Sequence, residues 1–400
     1  MDEDRTGTAE RLTGLLVLGM AGLMLVGYLV FRSGKATVTG QEPSAARSTF
    51  IMVNAATLSG FELTTGISEY RPLGQVMVLA LITGSALLTL ISGGWAVTRA
   101  LSMPYTDDQV VRAALFEFLL VLLAALLLVG PSPPGQSRYS LWAAIFQATS
   151  ALSNAGQVLG AAPSFQDPRV HLILLPLAVI GGLGVPVLLD ISSAVRLGHR
   201  LHSHTRLVLA GTAGIYLIGT LLIGGLEWYG GVETSQAAIR ASAESLNART
   251  LGMPLGSFVL LSPASQWVIL LLMLIGGSPA GTAGGLKTTT AIVLARDSWR
   301  VWNGQAVGRL FGLAVMWSTI YLLAILATTI VLALAQPQMP GERMIFLAVS
   351  AITNTGLSHA PISLTDLGAY TLCVAMLFGR FVPLLILWHA VGSTMEDRKP

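Results

Sequence analysis

The chain has 400 residues, of which 53% are hydrophobic and only 11% are charged, and its 23 basic and 20 acidic residues leave a net charge of +3. A water-soluble fold with so few charges could not cover its own surface, because soluble proteins carry about a quarter charged residues. The balanced charge excludes a typical nucleic-acid binder, and the single cysteine excludes a disulfide framework.

Eight apolar stretches are long enough to cross a membrane, which takes roughly 20 residues as a helix. They cover 11–31, 72–98, 112–130, 170–193, 206–229, 264–296, 309–336 and 367–393. Four shorter stretches lie between them, at about 47–57, 140–152, 235–248 and 342–353. Because these are too short to span, we predict re-entrant helices that all enter the membrane from one face.

The four short stretches end in a related motif: AATLSG at Gly60, ALSNAG at Gly156, LNARTLG at Gly252 and AITNTG at Gly356. The glycines are spaced by 96, 96 and 104 residues. A small hydroxyl residue stands three positions before the glycine in three motifs, whereas Arg249 breaks this pattern in the third. Equal spacing and equal hydropathy order indicate four internal repeats, at 1–98, 99–193, 194–296 and 297–400.

The repeats predict an all-α integral membrane protein with eight transmembrane helices. Each repeat consists of a span, a pore helix, a glycine strand and a second span, and the four repeats surround one central pore in a pseudo-fourfold arrangement. Basic residues are more frequent on the side of the span-to-span connections, so that side and both termini are expected in the cytoplasm of a multi-pass cell-membrane protein. The short helices then enter from outside, where Glu62 lies two residues past Gly60.

Four pore helices around one axis favour the binding of a cation at that axis. The C-terminal end of a helix carries partial negative charge, and four pore helices would aim these ends at one axis. The strands that follow can turn backbone carbonyls toward the axis, where they replace the hydration shell of an ion. Glycine suits these strands because it reaches backbone angles closed to other residues. The sequence therefore predicts a cation pathway within one chain.

Four motifs carry a resemblance to a known family: IGGSPAGTAGGLKTTT (275–290), NARTLG (247–252), SNAG (153–156) and FGRFVPLLIL (378–387). With the repeat order, they make the chain resemble the Trk/Ktr/HKT superfamily of potassium transporters over nearly its whole length. In that family the four glycines line a selectivity filter, a glycine-rich loop in the sixth span acts as a gate, and an arginine of the last span reaches toward the pore.

The resemblance implies site residues by position. The potassium-binding filter would comprise Thr57, Leu58, Ser59 and Gly60; Ser153, Asn154, Ala155 and Gly156; Arg249, Thr250, Leu251 and Gly252; and Thr353, Asn354, Thr355 and Gly356. The gate would comprise Gly276, Gly277, Gly281, Gly284, Gly285, Lys287 and Arg380. Glu62 departs from the family pattern and adds a carboxylate at the outer mouth. Bound K+ in the filter is expected, no covalent cofactor is expected, and Na+ as an activator stays open.

The expected function is potassium uptake across the plasma membrane, with no enzymatic activity. The resemblance also implies a homodimer on a cytoplasmic ring of nucleotide-binding regulatory subunits, surrounded by membrane lipid. The alternative is a sodium-conducting or weakly selective cation channel of the same fold. Gly60 favours potassium, because a serine there goes with sodium transport in the plant branch of the family. Gln157 and Met253 depart from the family pattern.

Three single features allow more than one interpretation. The 276–285 segment resembles a phosphate-binding loop, but Leu286 separates its glycines from Lys287 and it follows a spanning helix, so a gate or a simple kink is favoured. Arg380 lies near mid-membrane depth, where it either forms a barrier to cations or pairs with a carbonyl or with Glu117. Glu117 itself is expected to reach the cytoplasmic interface.

Overall fold

The computed structural model describes residues 2–38, 40, 42–64, 66–130, 138–256, 258–308 and 310–396, with side chains described except at 2–12, 250 and 386–396. Within these ranges the chain is helical, and isolated bridge pairs take the place of strands. Six of the described helices are long and apolar enough to cross a membrane. They are α1 (Asp2–Arg32), α3 (Pro72–Ala100), α4 (Asp107–Val129), α8 (Ser203–Tyr229), α12 (Phe311–Ala335) and α14 (Asp366–Glu396). The predicted all-α membrane fold is confirmed.

The two remaining predicted spans are broken. One consists of a π-helical turn (Val170–Leu174), α6 (Leu175–Leu183) and α7 (Val185–Leu197), with a bend of 98° at Gly184. The other is divided into α10 (Pro263–Leu274) and α11 (Thr288–Trp302) by the glycine-rich loop. The sequence analysis treated 170–193 as one continuous span, so this first break was not expected. A Cβ atom on Gly184 would lie 2.7 Å from the carbonyl carbon of Ala280, so the bend makes room for the loop.

Four short helices occupy the predicted re-entrant positions: α2 (Ala45–Ala56), α5 (Leu141–Leu152), α9 (Thr234–Leu246) and α13 (Gly341–Ile352). Serine side chains begin two of them, because Ser44 accepts a hydrogen bond from the Arg47 amide and Ser140 accepts one from the Ala143 amide. Each short helix packs against the long helix that precedes it. Span, short helix and span therefore follow one another four times along the chain.

The four units close into a ring. Helix α3 of the first unit packs against α4 and α5 of the second, α6 packs against α9, and α10 packs against α13. Helix α14 of the last unit returns to pack against α2 and α3 of the first. The short helices thus lie inside a closed circle of longer helices, with their C-terminal ends at the centre.

Helix α4 shows how the outer surface is built. From residue 115 onward, its exposed side chains are all apolar, the composition expected of a face in lipid: Leu115, Phe116, Leu119, Leu122, Leu123, Leu126, Leu127 and Val129. Glu117 lies on the opposite face, where it is 2% exposed and neither carboxylate oxygen has a partner among the described residues. The expectation that Glu117 reaches the interface was wrong, because it falls on the inward stripe formed by Val110, Ala114 and Val121.

Candidate functional site

Three of the four pore helices end in the same backbone turn. After the last helical residue, a residue takes left-handed angles, with φ of 55° at Leu58, 52° at Asn154 and 51° at Asn354. The next amide bonds back five residues, from Ser59 to the Asn54 carbonyl in the first unit. This paired pattern is the Schellman motif, and it directs the following residues away from the helix axis.

The third pore helix ends differently. Helix α9 continues into a π-helical turn over Asn247–Leu251, and Gly252, with φ of 66°, is the residue that leaves the helix. The expected glycine strand over 249–252 is therefore helical up to Leu251. The amide of Gly252 donates to the Asn247 carbonyl at 2.9 Å. The Thr250 side chain lies outside the described residues.

The four terminal glycines form a closed circle. A Cβ atom on Gly60 would lie 2.5 Å from the Ala155 carbonyl oxygen, next to Gly156, and one on Gly156 would lie 2.8 Å from the Gly252 oxygen. A Cβ on Gly252 would overlap the Thr355 carbonyl, and one on Gly356 would overlap that of Ser59. Each glycine thus abuts the backbone of the next segment, and the last abuts the first. All four have positive φ, so a side chain is disfavoured there on two grounds.

Asparagine side chains hold two of the segments in place. Asn54 donates from Nδ2 to the Phe61 carbonyl at 2.9 Å and accepts from the Phe61 amide at 3.0 Å. Asn247 makes the same pair of bonds with Met253, both at 2.9 Å. The sequence analysis missed both residues, although each lies five or six positions before its glycine and a comparison of the repeats could have found them.

Further side-chain bonds join neighbouring segments. Asn354 donates from Nδ2 to the Ser59 hydroxyl at 2.9 Å, which links the fourth segment to the first. Thr57 and Ser59 share a hydrogen bond of 2.8 Å between their hydroxyls, and Thr353 and Thr355 repeat this arrangement at the same distance. Of the predicted hydroxyl residues, Thr57 and Thr353 therefore brace their segments, whereas the buried Ser153 hydroxyl has no partner among the described atoms.

The 276–285 loop lies directly against the glycine segments. The Thr282 hydroxyl donates to the Leu152 carbonyl at 3.0 Å and accepts from Asn154 Nδ2 at 2.7 Å. Its backbone amide donates to the Gly181 carbonyl at 2.9 Å. A Cβ atom on Gly284 would overlap the Thr353 carbonyl, so the loop also touches the fourth segment. The sequence predicted a loop beneath the glycine segments, but Thr282 was not among the predicted gate residues.

Two cationic side chains border the loop. Arg380 is 4% exposed and donates to the Thr282 carbonyl at 2.6 Å and to the Thr89 hydroxyl at 2.9 Å. Lys287 donates from Nζ to the Ala283 carbonyl at 2.8 Å. Both line a cavity of about 220 Å³ together with Thr89, Gly284 and residues of α14. Of the partners considered for Arg380, the structure shows a carbonyl and no contact with Glu117 among the described atoms.

On the side of the ring away from the loop, Glu62 lines two cavities. One, of about 100 Å³, also borders Gly60 and Gly156; the other, of about 390 Å³, borders Gly60, Gly252 and Gly356. Partial burial raises the pKa of the Glu62 carboxyl above its usual value. His359 lines the larger cavity, and burial lowers its pKa. The ring is thus bordered by a carboxylate on one side and by the loop on the other.

Comparisons with known proteins agree with this geometry. No family model matches the sequence. The chain is 30% identical over 263 residues to Ktr system potassium uptake protein B of Vibrio alginolyticus, an alignment that covers 61% of this chain and 58% of that protein. It is 27% identical over 389 residues to the protein of the same name from Bacillus subtilis (strain 168), covering 87% of this chain and 86% of that one.

A solved structure shares the fold. The potassium transporter TrkH from Vibrio parahaemolyticus superimposes with a TM-score of 0.71 at 18% sequence identity, covering 92% of this chain and 84% of that one. The alignment with the Vibrio alginolyticus relative spans only 58% of that protein's length. The fold and these similarities support a membrane subunit of the Trk/Ktr potassium-transporter type, which confirms the resemblance found in the sequence.

Proposed function

We propose that this protein takes up potassium across the cell membrane through a pore at the centre of the four repeats. The observation that carries the proposal is the closed circle of Gly60, Gly156, Gly252 and Gly356, in which each glycine abuts the next segment. Four backbone segments at this spacing provide carbonyl oxygens around one axis, and such oxygens replace the hydration shell of an ion without a fixed charge. Two relatives named as potassium uptake proteins support the same substrate.

The residues proposed for the filter are the four segments 57–60, 153–156, 249–252 and 353–356. The hydrogen bonds of Asn54, Asn247 and Asn354 support this assignment, because they hold the backbone where an ion would be coordinated. K+ occupies the filter as the transported ion. Four negative ends of the pore helices at the centre of the ring add a favourable potential for a cation.

The gate in this proposal is the 276–285 loop with Lys287 and Arg380. Its support is the contact of Thr282 and Gly284 with the second and fourth segments. In this proposal the loop lies across the path below the ring. A cationic guanidinium in a pore of low dielectric constant raises the energy of a passing cation. Conduction then requires the loop and Arg380 to move away together, since Arg380 donates to the Thr282 carbonyl.

The proposal also covers the wider assembly. The chain has the repeat boundaries given above, both termini lie in the cytoplasm, and the protein forms a homodimer on a cytoplasmic ring of nucleotide-binding regulatory subunits. Exposed Trp299 and Trp302, at 70% and 86%, lie near the C-terminal end of α11 on the proposed cytoplasmic side. Large exposed aromatic side chains of this kind favour contact with a protein or with the membrane interface. Copurification of a soluble nucleotide-binding subunit, lost in Trp302→Ala, tests this part.

The central experiment is growth rescue. A bacterium that lacks potassium uptake, expressing this chain, is grown at low external potassium. Rescue is expected for the parent and not for an equally inserted Gly252→Asp variant, whose side chain would overlap the Thr355 carbonyl. Purified protein in liposomes is then tested with K+, Na+ and Rb+. Equal flux of Na+ and K+ would favour the alternative of a weakly selective cation channel, and no flux of any cation would overturn the proposal.

A further inference from the structure

Arg249 stands where the other repeats have a small hydroxyl residue, and its side chain has unusual partners. The guanidinium donates to the Ile275 carbonyl at 3.3 Å and to the Gly276 carbonyl at 3.1 Å, at the start of the loop. It also donates to the Thr288 hydroxyl at 3.2 Å, at the end of the loop. A fourth bond, at 3.3 Å, reaches the Thr212 carbonyl of α8. One residue of the third pore helix therefore contacts both ends of the loop.

The two ends of the loop meet at a narrow neck. The Gly276 amide donates to the Leu286 carbonyl at 2.9 Å, the Leu286 amide donates to the Leu274 carbonyl at 3.0 Å, and the Thr288 amide donates to the Gly277 carbonyl at 2.9 Å. The Thr288 hydroxyl adds a bond of 2.8 Å to the Gly276 carbonyl. We call this set of backbone contacts between 274–277 and 286–288 the neck.

The break in the sixth span explains why an arginine is suited to this position. Helix α10 ends at Leu274, so the carbonyls that follow it lack the helical amides that would otherwise satisfy them. An unsatisfied carbonyl at membrane depth is costly. Arginine offers several donors in a rigid planar fork, which allows one side chain to satisfy two successive carbonyls and the Thr288 hydroxyl. Arg249 is 2% exposed, so these bonds are shielded from water.

We propose that Arg249 is a positioning residue that clamps the neck of the 276–285 loop to the end of the third pore helix. The neck then stays fixed beside the glycine ring while the part of the loop around Thr282 moves. The tip is bonded to other elements through Thr282, which contacts Leu152, Asn154, Gly181 and Arg380, and through the Ser278 amide, which donates to the Gly182 carbonyl. The two sides of the neck are bonded to each other by three backbone bonds, and the clamp adds the bonds of Arg249. This inference rests on the proposed gating function and adds the fixed point about which the gate turns.

The clamp also connects the filter to the gate through one side chain. Arg249 is three residues from Gly252, within the π-helical turn that delivers that glycine to the ring. A displacement of the third segment therefore changes the position of the guanidinium and, through it, the neck. In the first and fourth repeats the corresponding residues, Thr57 and Thr353, bond back to their own helices at Val53 and Val349 instead.

The test measures amide hydrogen exchange of the full chain in lipid nanodiscs, together with potassium flux in liposomes. In Arg249→Met, exchange at the neck amides of Gly276, Leu286 and Thr288 should accelerate at least about tenfold, as expected for the loss of one charge-assisted hydrogen bond. Exchange in α2 and α13 should stay unchanged. Potassium flux should rise in the same variant.

Two further variants make the result specific. Arg249→Lys keeps the charge but not the planar fork, and should loosen the neck to an intermediate degree. Thr288→Val removes one partner of the clamp and should loosen the same amides less strongly. The matched control is Arg240→Met, in the same pore helix, whose guanidinium stacks on Phe165 and donates to the Leu260 carbonyl away from the loop. It should leave neck exchange at the parental rate.

Unchanged neck exchange in correctly inserted Arg249→Met would overturn the clamp. The clamp would also be overturned if protection from exchange were lost equally over α9, α10 and the neck, because that result would show a general structural role of Arg249. If Arg249→Met does not insert, the Arg249→Lys variant decides by the same exchange measurement, because Thr288→Val also removes the bond of that hydroxyl to the Gly276 carbonyl. Absence of potassium flux in the parent would defeat the proposed function instead, and the exchange result would still decide whether Arg249 clamps the neck.

Discussion

Nδ2 of Asn154 lies 2.7 Å from the hydroxyl oxygen of Thr282, so a side chain of the second glycine segment holds the loop that crosses beneath it. These residues are 128 positions apart in the sequence, and both are buried. The same hydroxyl donates to the Leu152 carbonyl at the end of the second pore helix. The filter and the gate of the proposed mechanism are therefore in direct contact, and a change in one must alter the other.

Thr282→Val should make the loop easier to release. Valine has nearly the same shape but loses both hydroxyl bonds, and each neutral hydrogen bond contributes about 1 kcal/mol. The ratio of closed to open protein should then fall by roughly fivefold to thirtyfold, and potassium flux in liposomes should rise accordingly. Ser278→Ala is the control, because that hydroxyl bonds only to the adjacent Pro279 carbonyl. Equal flux in Thr282→Val, Ser278→Ala and the parent would speak against the Thr282 contact as a gate bond.

Arg380 combines a charge with hydrogen bonds to the Thr282 carbonyl of the loop and to the Thr89 hydroxyl, and two variants separate the side chain as a whole from the bond that positions it. Arg380→Met removes both and should raise flux at all membrane potentials. Thr89→Val keeps the charge and removes only the 2.9 Å bond that positions the guanidinium, so its effect should be smaller. Flux is measured with K+ at several ionic strengths. If Thr89→Val matches Arg380→Met, the charge contributes little and the barrier is steric.

Arg249, which replaces the hydroxyl residue three positions before the glycine, shows what the sequence alone could and could not predict. Element order and the four glycines were predictable, because membrane thickness fixes helix length and the motifs recur at nearly equal spacing. The role of Arg249 was not predictable, because its partners Ile275, Gly276 and Thr288 lie 26 to 39 positions away in the chain. The sequence marked Arg249 only as an exception to the repeat.

The bend at Gly184 and the burial of Glu117 illustrate the same limit. Both regions were interpreted as continuous apolar spans, although Gly184 and Pro186 are residues that interrupt helices. The bend follows from the closeness of Ala280, which belongs to another repeat. Glu117 was assigned to the cytoplasmic interface because it lies close to Arg112 in the sequence. In the structure, however, Glu117 is on the face of α4 that packs against the protein interior. Packing between repeats decides these positions.

Glu62 should make uptake depend on external pH. Burial raises its pKa, so as pH falls the carboxylate is neutralised at a higher pH than an ordinary glutamate, whose pKa is about 4.3. Neutralisation of Glu62 removes a cation-attracting charge from the outer mouth. The KM for K+ should therefore rise a few-fold as pH falls through the pKa of Glu62. Glu62→Gln should show the raised KM at every pH and no such step.

His359 requires a separate control, because it lines the same cavity as Glu62 and gains positive charge as pH falls. Burial lowers its pKa, so this charging is displaced below the usual value of about 6.5. Initial rates of Rb+ uptake from pH 8 to about pH 4.5 in both variants separate the two groups. A step that persists in Glu62→Gln and disappears in His359→Gln would assign the pH dependence to the histidine.

The most direct test of the glycine ring as a potassium filter is the K+ over Na+ preference of Gly60→Ser in liposomes. A side chain there meets the Ala155 carbonyl oxygen at 2.5 Å and must turn or displace it, which alters the oxygens available to an ion. Gly225→Ser is the matched control, since a side chain at Gly225 would meet no atom within 4 Å. The account predicts that Gly60→Ser loses K+ preference at least about tenfold, the effect of roughly 1.4 kcal/mol, while Gly225→Ser keeps it. A parental preference in correctly inserted Gly60→Ser would contradict the account.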